Sequence, residues 1–341
     1  NFASKLSPFD WLSVRICFSN LGLILSLSKD EGDKNIRIRR EDTAMRLVTF
    51  DKNRAPVCGV RRGDAIVDLS LAAPKLPRDW PAIFAGDALK EVAIAAESAP
   101  DSALVAAASA RLLTPIPKPP KILCVGLNYK THAEEAKQPI PAYPVIFPRW
   151  PTSLVGSGTP LTQPKESTDF DFEAELLIVI GKRGRRIAED KALDYVAGYS
   201  CFNDGSLRDY QFKSSQWAMG KNFDGSGSWG PDIVTADELP PGADGLRIQA
   251  RLNGAVLQDG NTDDMIFSVA TIVSTISEVM TLEPGDIIPT GTPPGVGFAR
   301  KPPVWMKPGD TTGSRSSSHA VFSAGTASAA KIAPSSASAS S

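Results

Sequence analysis

Residues 169–181 read DFDFEAELLIVIG and place two glutamates one residue apart at the start of an otherwise apolar run. The run LLIVIG is rich in branched apolar side chains, which predicts a strand buried on both faces. Side chains alternate along a strand, so Glu173 and Glu175 share one face while their apolar neighbours occupy the other. The sequence therefore predicts two carboxylates side by side at the entry to a core.

Two carboxylates so close together raise each other's pKa unless a cation lies between them. Ligation by oxygen alone suits Mg²⁺, Mn²⁺ or Ca²⁺. The stretch YSCFNDGSLRDYQ, residues 199–211, offers Asp204 and Asp209 as a third ligand, and Asp204 directly follows a short apolar run. The alternative is a pair of solvent-facing glutamates on an edge strand, and the residues alone leave both interpretations open.

The composition favours a globular protein that binds a small molecule. The chain has 341 residues, of which 42% are hydrophobic and 22% charged, enough for a sizeable core. A formal net charge of -1 provides no basic surface for nucleic acid or for an anionic membrane. The four cysteines form no C-x-x-C pair, so neither a zinc ribbon nor a disulfide framework is indicated and a cytoplasmic location fits best.

The two ends of the chain differ in composition from its middle. Residues 1–44 contain an apolar run that is too short and too interrupted for a membrane span, and we interpret them as a non-native or disordered extension, with a secretory signal as the alternative. Residues 311–341 are rich in Ser and Ala, which predicts a disordered tail or a frameshift. Between them we expect a small N-terminal domain over residues 45–115 and a catalytic domain over residues 116–310.

A second cluster of polar residues follows an apolar strand pattern in KILCVGLNYKTHAEEAKQ, residues 121–138. A helix that begins near Tyr129 would place His132 and Glu135 on one face. A histidine oriented by a carboxylate is a base near neutral pH. From the spacing alone, an ordinary charge pair on a solvated helix face is the favoured interpretation. The other histidine, His319, lies in the tail, so histidine catalysis would have to use His132.

Five motifs occur in an order that resembles the fumarylacetoacetate hydrolase family, over about residues 45–310. They are VGLNYKTHAEE, DFEAELLIVIG, FNDGSLRDYQ, QWAMGKNFDGSGSWGP and PGDIIPTGTPPGVG. The resemblance implies an α+β fold that is mainly β, with a small N-terminal domain and a mixed β-roll-like catalytic domain of the fumarylacetoacetase C-terminal type. It also implies a homodimer and a bound Mg²⁺ or Mn²⁺, with Ca²⁺ as a further candidate.

The resemblance also implies roles for individual residues. The implied metal ligands are Glu173, Glu175 and Asp204. The implied catalytic residues are His132, Glu135 and Lys221, and the implied substrate contacts are Arg208, Gln211 and Thr292. Three positions complicate the match. Glu134, next to Glu135, is an alternative partner for His132, and Pro289 departs from the family pattern before TGTP. The stretch TTGSRSSSH replaces a family strand of alternating Val and Glu.

The implied activity is hydrolysis of a carbon–carbon bond in a short diketo acid through a metal-bound enolate, in the catabolism of aromatic compounds. The substrate would be of the acylpyruvate or fumarylpyruvate type. One alternative is an isomerase or decarboxylase that acts on a related 2-oxo or 2-hydroxy-dienoic acid, as in the hydroxyheptadienedioate isomerase branch. Another is a non-catalytic member that binds a metal or metabolite. The stretch GTPPGVG, residues 291–297, lacks a phosphate-binding pattern and is interpreted as a loop that borders the site.

Overall fold

The computed structural model describes residues 45–317 and 330–334, together with two short strands, β1 (Ile16–Cys17) and β2 (Ile24–Leu25). These two strands pair antiparallel within a compact unit formed by Asn1–Thr43. Ala44–Ser341 form the second compact unit. The interpretation of residues 1–44 as an extension lies largely outside the described residues and stays a prediction.

The second unit is built mainly from strands. Its strands are β3 (Arg46–Lys52), β4 (Ala55–Arg62), β5 (Ala65–Asp68), β6 (Leu104–Ala106), β7 (Leu123–Gly126), β8 (Val145–Pro148), β9 (Leu154–Gly156), β10 (Leu161–Gln163), β11 (Phe170–Asp171), β12 (Ala174–Ile180), β13 (Val196–Asn203), β14 (Ser206–Leu207), β15 (Gly227–Trp229), β16 (Ile233–Thr235), β17 (Arg247–Leu252), β18 (Ala255–Asn261), β19 (Ile287–Pro289), β20 (Thr311–Ser317) and β21 (Ala330–Pro334). Its α-helices are α1 (Leu69–Ala72), α2 (Trp80–Ala85), α3 (Leu89–Glu97), α4 (Lys130–Glu135), α5 (Arg208–Gln211), α6 (Ala218–Lys221) and α7 (Val269–Val279). Short 3₁₀ turns span Asp101–Ala103, Ala107–Ser109, Pro151–Ser153, Glu189–Tyr195, Ala236–Glu238, Pro241–Ala243 and Thr262–Asp264. The predicted α+β, mainly β, fold class is confirmed.

A sheet of ten strands organises the unit. Its main path runs β19-β12-β13-β16-β3-β4-β5-β6, and β15 branches from β13 and pairs with β9. Strands β3 to β6 belong to the expected N-terminal domain, yet they continue the same sheet because β3 pairs with β16. The core is shared as well, since Trp80 and Ile83 of α2 lie in one apolar cluster with Leu177 of β12. The division into two domains at residue 115 stays a prediction.

Strand β12 is buried on both faces, as its run of branched side chains predicts. Leu176 and Ile178 lie in one apolar cluster with Ile272 and Ile276 of α7. Ser268 caps the N-terminus of this helix, since its hydroxyl accepts a hydrogen bond from the backbone N–H of Thr271. Apolar residues recur at helical spacing along α7, so one stripe of the helix covers this face of the sheet.

A second sheet of five strands has the order β10-β21-β20-β17-β18. The Ser/Ala-rich composition predicts disorder for residues 311–341, and this is wrong for the two strands within that range. Thr311–Ser317 pairs antiparallel with β17 along the whole of Arg247–Leu252, and Ala330–Pro334 pairs with β10 and β20. The ladder is made by backbone groups, which even a Ser-, Thr- and Gly-rich segment supplies. Residues 318–329 and 335–341 lie outside the described part of the chain.

None of the helices in the described residues is both long enough and apolar enough to span a bilayer.

Candidate active site

Three predicted carboxylates meet where β12 and β13 lie side by side. Glu175 lies in β12, Glu173 just precedes it, and Asp204 directly follows β13. All three are buried, and each offers an oxygen within 4.8 Å of the others. Strand β12 lies between β13 and β19, so the alternative of solvent-facing glutamates on an edge strand is wrong. Asp209 instead accepts a hydrogen bond from the Ser167 hydroxyl.

Two buried cations hold Glu173 and Asp204. Nη2 of Arg208, on α5, lies 2.5 Å from Oε1 of Glu173. Nζ of Lys221, on α6, lies 2.5 Å from Oε2 of Glu173 and 2.6 Å from Oδ2 of Asp204. Burial alone would raise the pKa of Glu173, but Arg208 and Lys221 lower it to about 2. Glu173 is therefore ionised, and Arg208 and Lys221 compensate its negative charge.

A third cation, Arg149, was not singled out from the sequence. Its side chain is fully buried and donates to Asp204, to the Ser226 hydroxyl at 2.9 Å and to the Ser153 hydroxyl at 3.1 Å. Arg149 directly follows β8, so the available signal was an arginine at the end of an apolar strand. That pattern is common on protein surfaces, and only the contact of Arg149 with Asp204 after β13 makes it significant.

Glu175 differs from the other two carboxylates because no cationic side chain pairs with it among the described residues. Its hydrogen bond comes from the backbone N–H of Gly291, at 3.0 Å. Burial, followed by the charges of Asp204 and Glu173, raises the pKa of Glu175 well above its usual range. Gly291 has a φ of 96°, and a Cβ there would lie 2.9 Å from Cβ of Asn128, so this contact requires glycine.

These residues fit a divalent cation. Their donor atoms are carboxylate oxygens, which Mg²⁺, Mn²⁺ and Ca²⁺ prefer. Glu175 brings a carboxylate into the core with no cationic partner in the described residues, and burying an uncompensated charge is unfavourable. A cation shared by Glu173, Glu175 and Asp204 would supply the missing positive charge.

The predicted dyad forms at the end of α4. Nδ1 of His132 lies 3.1 Å from Oε2 of Glu135. The backbone N–H of Gly295 donates to both carboxylate oxygens of Glu135, at 2.9 and 3.1 Å. Glu134 is exposed, and the carboxylate observed beside His132 is that of Glu135; the catalytic role of the pair stays a prediction. Since Glu135 is an acceptor, Nδ1 of His132 is assigned the hydrogen and Nε2 is left to accept a proton.

The predicted substrate contacts all have partners within the protein. Nη1 of Arg208 donates to Oε1 of Gln211 at 2.8 Å. The Thr292 hydroxyl donates to the carbonyl of Ala174 at 2.9 Å and accepts from Nε2 of Gln258 at 2.7 Å. Their contact with a substrate stays a prediction. The observed bonds show that Gln211 orients Arg208 and that Thr292 ties its loop to β12.

The chain is similar to a known protein family and to several named proteins. Residues 121–317 match the family described as fumarylacetoacetate (FAA) hydrolase C-terminal. The mitochondrial oxaloacetate tautomerase fahd2 of Xenopus laevis is 40% identical over 276 residues, which cover 78% of this chain and 85% of that protein.

Two solved structures are also similar. The 2-hydroxyhepta-2,4-diene-1,7-dioate isomerase of Mycobacterium marinum is 31% identical with a TM-score of 0.66, and the match covers 86% of this chain and 100% of that chain. The maleylpyruvate hydrolase of Sphingobium sp. SYK-6 is 30% identical with a TM-score of 0.67, and the match covers 85% of this chain and 100% of that chain.

Proposed function

The chain belongs to the fumarylacetoacetate hydrolase family, and from this premise we propose that it catalyses metal-dependent keto–enol tautomerisation of a short 2-oxo dicarboxylate such as oxaloacetate. The observation that carries the proposal is the buried trio of carboxylates, one of which has no cationic partner among the described residues. The similarity to a named oxaloacetate tautomerase supports the choice of substrate.

Glu173, Glu175 and Asp204 would hold the metal, and their oxygen donors favour Mg²⁺ or Mn²⁺. When bound, such a cation polarises the carbonyl of a 2-oxo acid and stabilises negative charge on its oxygen. The burial of all three ligands excludes water from their surroundings, which strengthens electrostatic interactions at the site.

His132 would move the proton. In the keto-to-enol direction its Nε2 would take a proton from the carbon beside the carbonyl and deliver that proton to the carbonyl oxygen, and ketonisation would move the proton back by the same route. Glu135 stabilises the imidazolium that forms, and the N–H of Gly295 holds that carboxylate in place. Lys221 has three N–H donors, and two of them bind Glu173 and Asp204. We assign the third to the substrate oxygen on which negative charge develops.

Hydrolysis of a diketo acid is the second candidate. The observation that favours it is the same His132–Glu135 pair, because Nε2 of His132 could take a proton from water instead of from carbon. The likeness to a maleylpyruvate hydrolase points the same way. The two candidates differ in their products: hydrolysis releases pyruvate and a second acid, while tautomerisation leaves the carbon skeleton intact.

The experiment uses the full chain, stripped with EDTA and reloaded with Mg²⁺ or Mn²⁺. Decay of the ultraviolet absorbance of enol-oxaloacetate is followed, and acetylpyruvate and maleylpyruvate are tested in parallel with detection of pyruvate. We expect metal-dependent acceleration of enol decay without release of pyruvate. Release of pyruvate from a diketo acid, with no effect on oxaloacetate, would replace the tautomerase proposal by the hydrolase.

Positions 132 and 134 of α4 provide a test variant and a control variant. His132→Gln is expected to lower kcat by about 100-fold or more, because it removes the group that accepts the proton. Glu134→Gln changes an exposed carboxylate on the same helix and should leave the rate unchanged. Stabilisation by Mn²⁺ in thermal unfolding should be the same in both variants and the wild type. Equal rates for the two variants would remove His132 from the reaction.

A further inference from the structure

Asp171 is a buried carboxylate outside the metal and dyad assignments, two residues before Glu173. Its Oδ2 accepts hydrogen bonds from Nε of Arg208 at 2.8 Å and from the backbone N–H of Phe298 at 3.0 Å. Its Oδ1 accepts from the backbone N–H of Gly297 at 2.7 Å. Oδ1 also accepts from the backbone N–H of Phe172 at 2.9 Å, so both oxygens of Asp171 act as acceptors in every one of these contacts.

The segment that Asp171 holds is residues 295–298, named here the glycine loop. Its first residue, Gly295, donates to Glu135 of the dyad, and its last two residues donate to Asp171. The contact at Gly297 is close: a Cβ there would lie 2.6 Å from Oδ1 of Asp171 and 1.9 Å from the carbonyl oxygen of Val304. The backbone of the loop is therefore pressed directly against the carboxylate.

On its other side Asp171 holds Arg208. The guanidinium of Arg208 donates to Asp171 and also to Glu173, so it bridges Asp171 to the carboxylate trio. The carbon of that guanidinium lies 5.9 Å from the ring centroid of Phe298. Asp171 therefore contacts both the glycine loop, which is hydrogen-bonded to Glu135 of the dyad, and Arg208, which is hydrogen-bonded to Glu173 of the trio.

We propose that Asp171 is a positioning residue that locks the glycine loop to Arg208 and so sets the place of the His132–Glu135 pair relative to the carboxylate trio. Without this carboxylate, three backbone N–H groups and one guanidinium nitrogen lose their acceptor together. The glycine loop would then be free to move, and Glu135 would move with it through Gly295. The effect on turnover rests on the proposed function; the effect on the loop does not.

Hydrogen exchange of the full chain, read by mass spectrometry, tests the lock. In Asp171→Asn, the segment 295–300 should exchange about 10-fold faster or more than in the wild type, and residues 130–136 should also lose protection. Asp232→Asn is the matched control, because Asp232 is a buried aspartate paired with Arg61 at 2.7 Å and does not contact the glycine loop. It should leave both segments unchanged.

Steady-state kinetics provide the second measurement. They are recorded at saturating metal, and kcat is expressed per equivalent of bound metal. Asp171→Asn should lower kcat by about 10- to 100-fold with KM changed by less than about threefold, since the base is misplaced while the metal ligands remain. Asp232→Asn should keep the wild-type kcat. A folded Asp171→Asn with wild-type exchange over residues 295–300, or with wild-type kcat, would overturn the proposal.

A measurement on the unaltered protein covers the case in which Asp171→Asn does not fold. Residues 295–300 of the wild type should then exchange far more slowly than the exposed segment 137–143, and equal rates would overturn the lock. If exchange behaves as expected but the wild type turns over no 2-oxo acid, the proposed function fails while the lock stands.

Discussion

At the scale of single residues, the site is defined by an imbalance of buried charge. Four buried acids face three buried cations: Asp171, Glu173, Glu175 and Asp204 against Arg149, Arg208 and Lys221. Glu175 is the acid without a cationic partner in the described chain, whereas Glu173 has two. The two glutamates that look equivalent in the sequence therefore differ in their effect on stability.

Exchange of each glutamate for its neutral amide should show this difference. Glu175→Gln in EDTA should raise the free energy of unfolding by about 1 kcal/mol, because the amide removes the cost of keeping this buried carboxyl group either ionised without a cation or protonated at neutral pH. Glu173→Gln should lower it by about 3 kcal/mol or more, because it leaves Arg208 and Lys221 without a carboxylate. Urea unfolding measures both values, and both variants should lose stabilisation by added Mg²⁺. Destabilisation by both substitutions alike would contradict a cation-deficient site.

At the scale of elements, the position of Glu175 depends on how firmly β12 is held. The strand is clamped between β13 and β19, and α7 covers one of its faces. Local sequence predicts both elements well, since β12 is a run of branched apolar residues and α7 has helical periodicity with a serine at its N-terminus. The pairing of β12 with β13 then places Glu175 beside Asp204, because Glu175 lies opposite Phe202 and Ala174 lies opposite Asn203.

Truncation of one side chain in α7 tests this packing. Ile272 is 0% exposed, and Ile272→Ala should lower the free energy of unfolding by about 2–5 kcal/mol through lost burial and a residual cavity. Ile94 on α3 is 66% exposed, so Ile94→Ala, the same chemical change, should cost less than about 0.5 kcal/mol. Chemical denaturation of both variants measures the two losses in free energy of unfolding. Similar losses would show that α7 does not support the core.

Strand β20 shows where element prediction from sequence fails. Its residues, TTGSRSS, have the composition of a disordered segment, yet they pair with β17 along its length. The neighbouring strand supplies a ready row of backbone donors and acceptors, and a sheet edge accepts almost any sequence that can extend. Composition therefore predicted the wrong state for a segment whose structure depends on its partner.

At the scale of the whole molecule, the strands of residues 45–115 and the site strands form one sheet. Strand β16 pairs with β13 on one side and with β3 on the other. The apolar cluster that contains Trp80 and Ile83 also contains Leu177 and Trp229. The carboxylate trio is consequently supported by residues far earlier in the chain.

A chain shortened to residues 116–341 should therefore not fold by itself. Removal of residues 45–115 exposes the edge of β16 and the core face of β12, and each large apolar side chain exposed costs about 1.5–3 kcal/mol. A few such losses exceed a typical total stability of about 5–15 kcal/mol. Circular dichroism should show no cooperative thermal transition for the fragment. A cooperative transition close to that of the full chain would instead support an independent catalytic domain.

The sequence by itself determined the parts of the site that depend on local geometry. The alternation of a strand places Glu173 and Glu175 on one face, and one turn of a helix brings His132 to Glu135, so both pairs could be predicted from spacing alone. The ordered motifs likewise predicted the family. Only the tertiary structure decided the partners of these groups.

Arg149 reaches the site from another segment, as do the N–H groups of three glycines. Their roles depend on which strands and loops lie next to one another, and contacts between residues far apart in the chain leave no periodic pattern in the sequence.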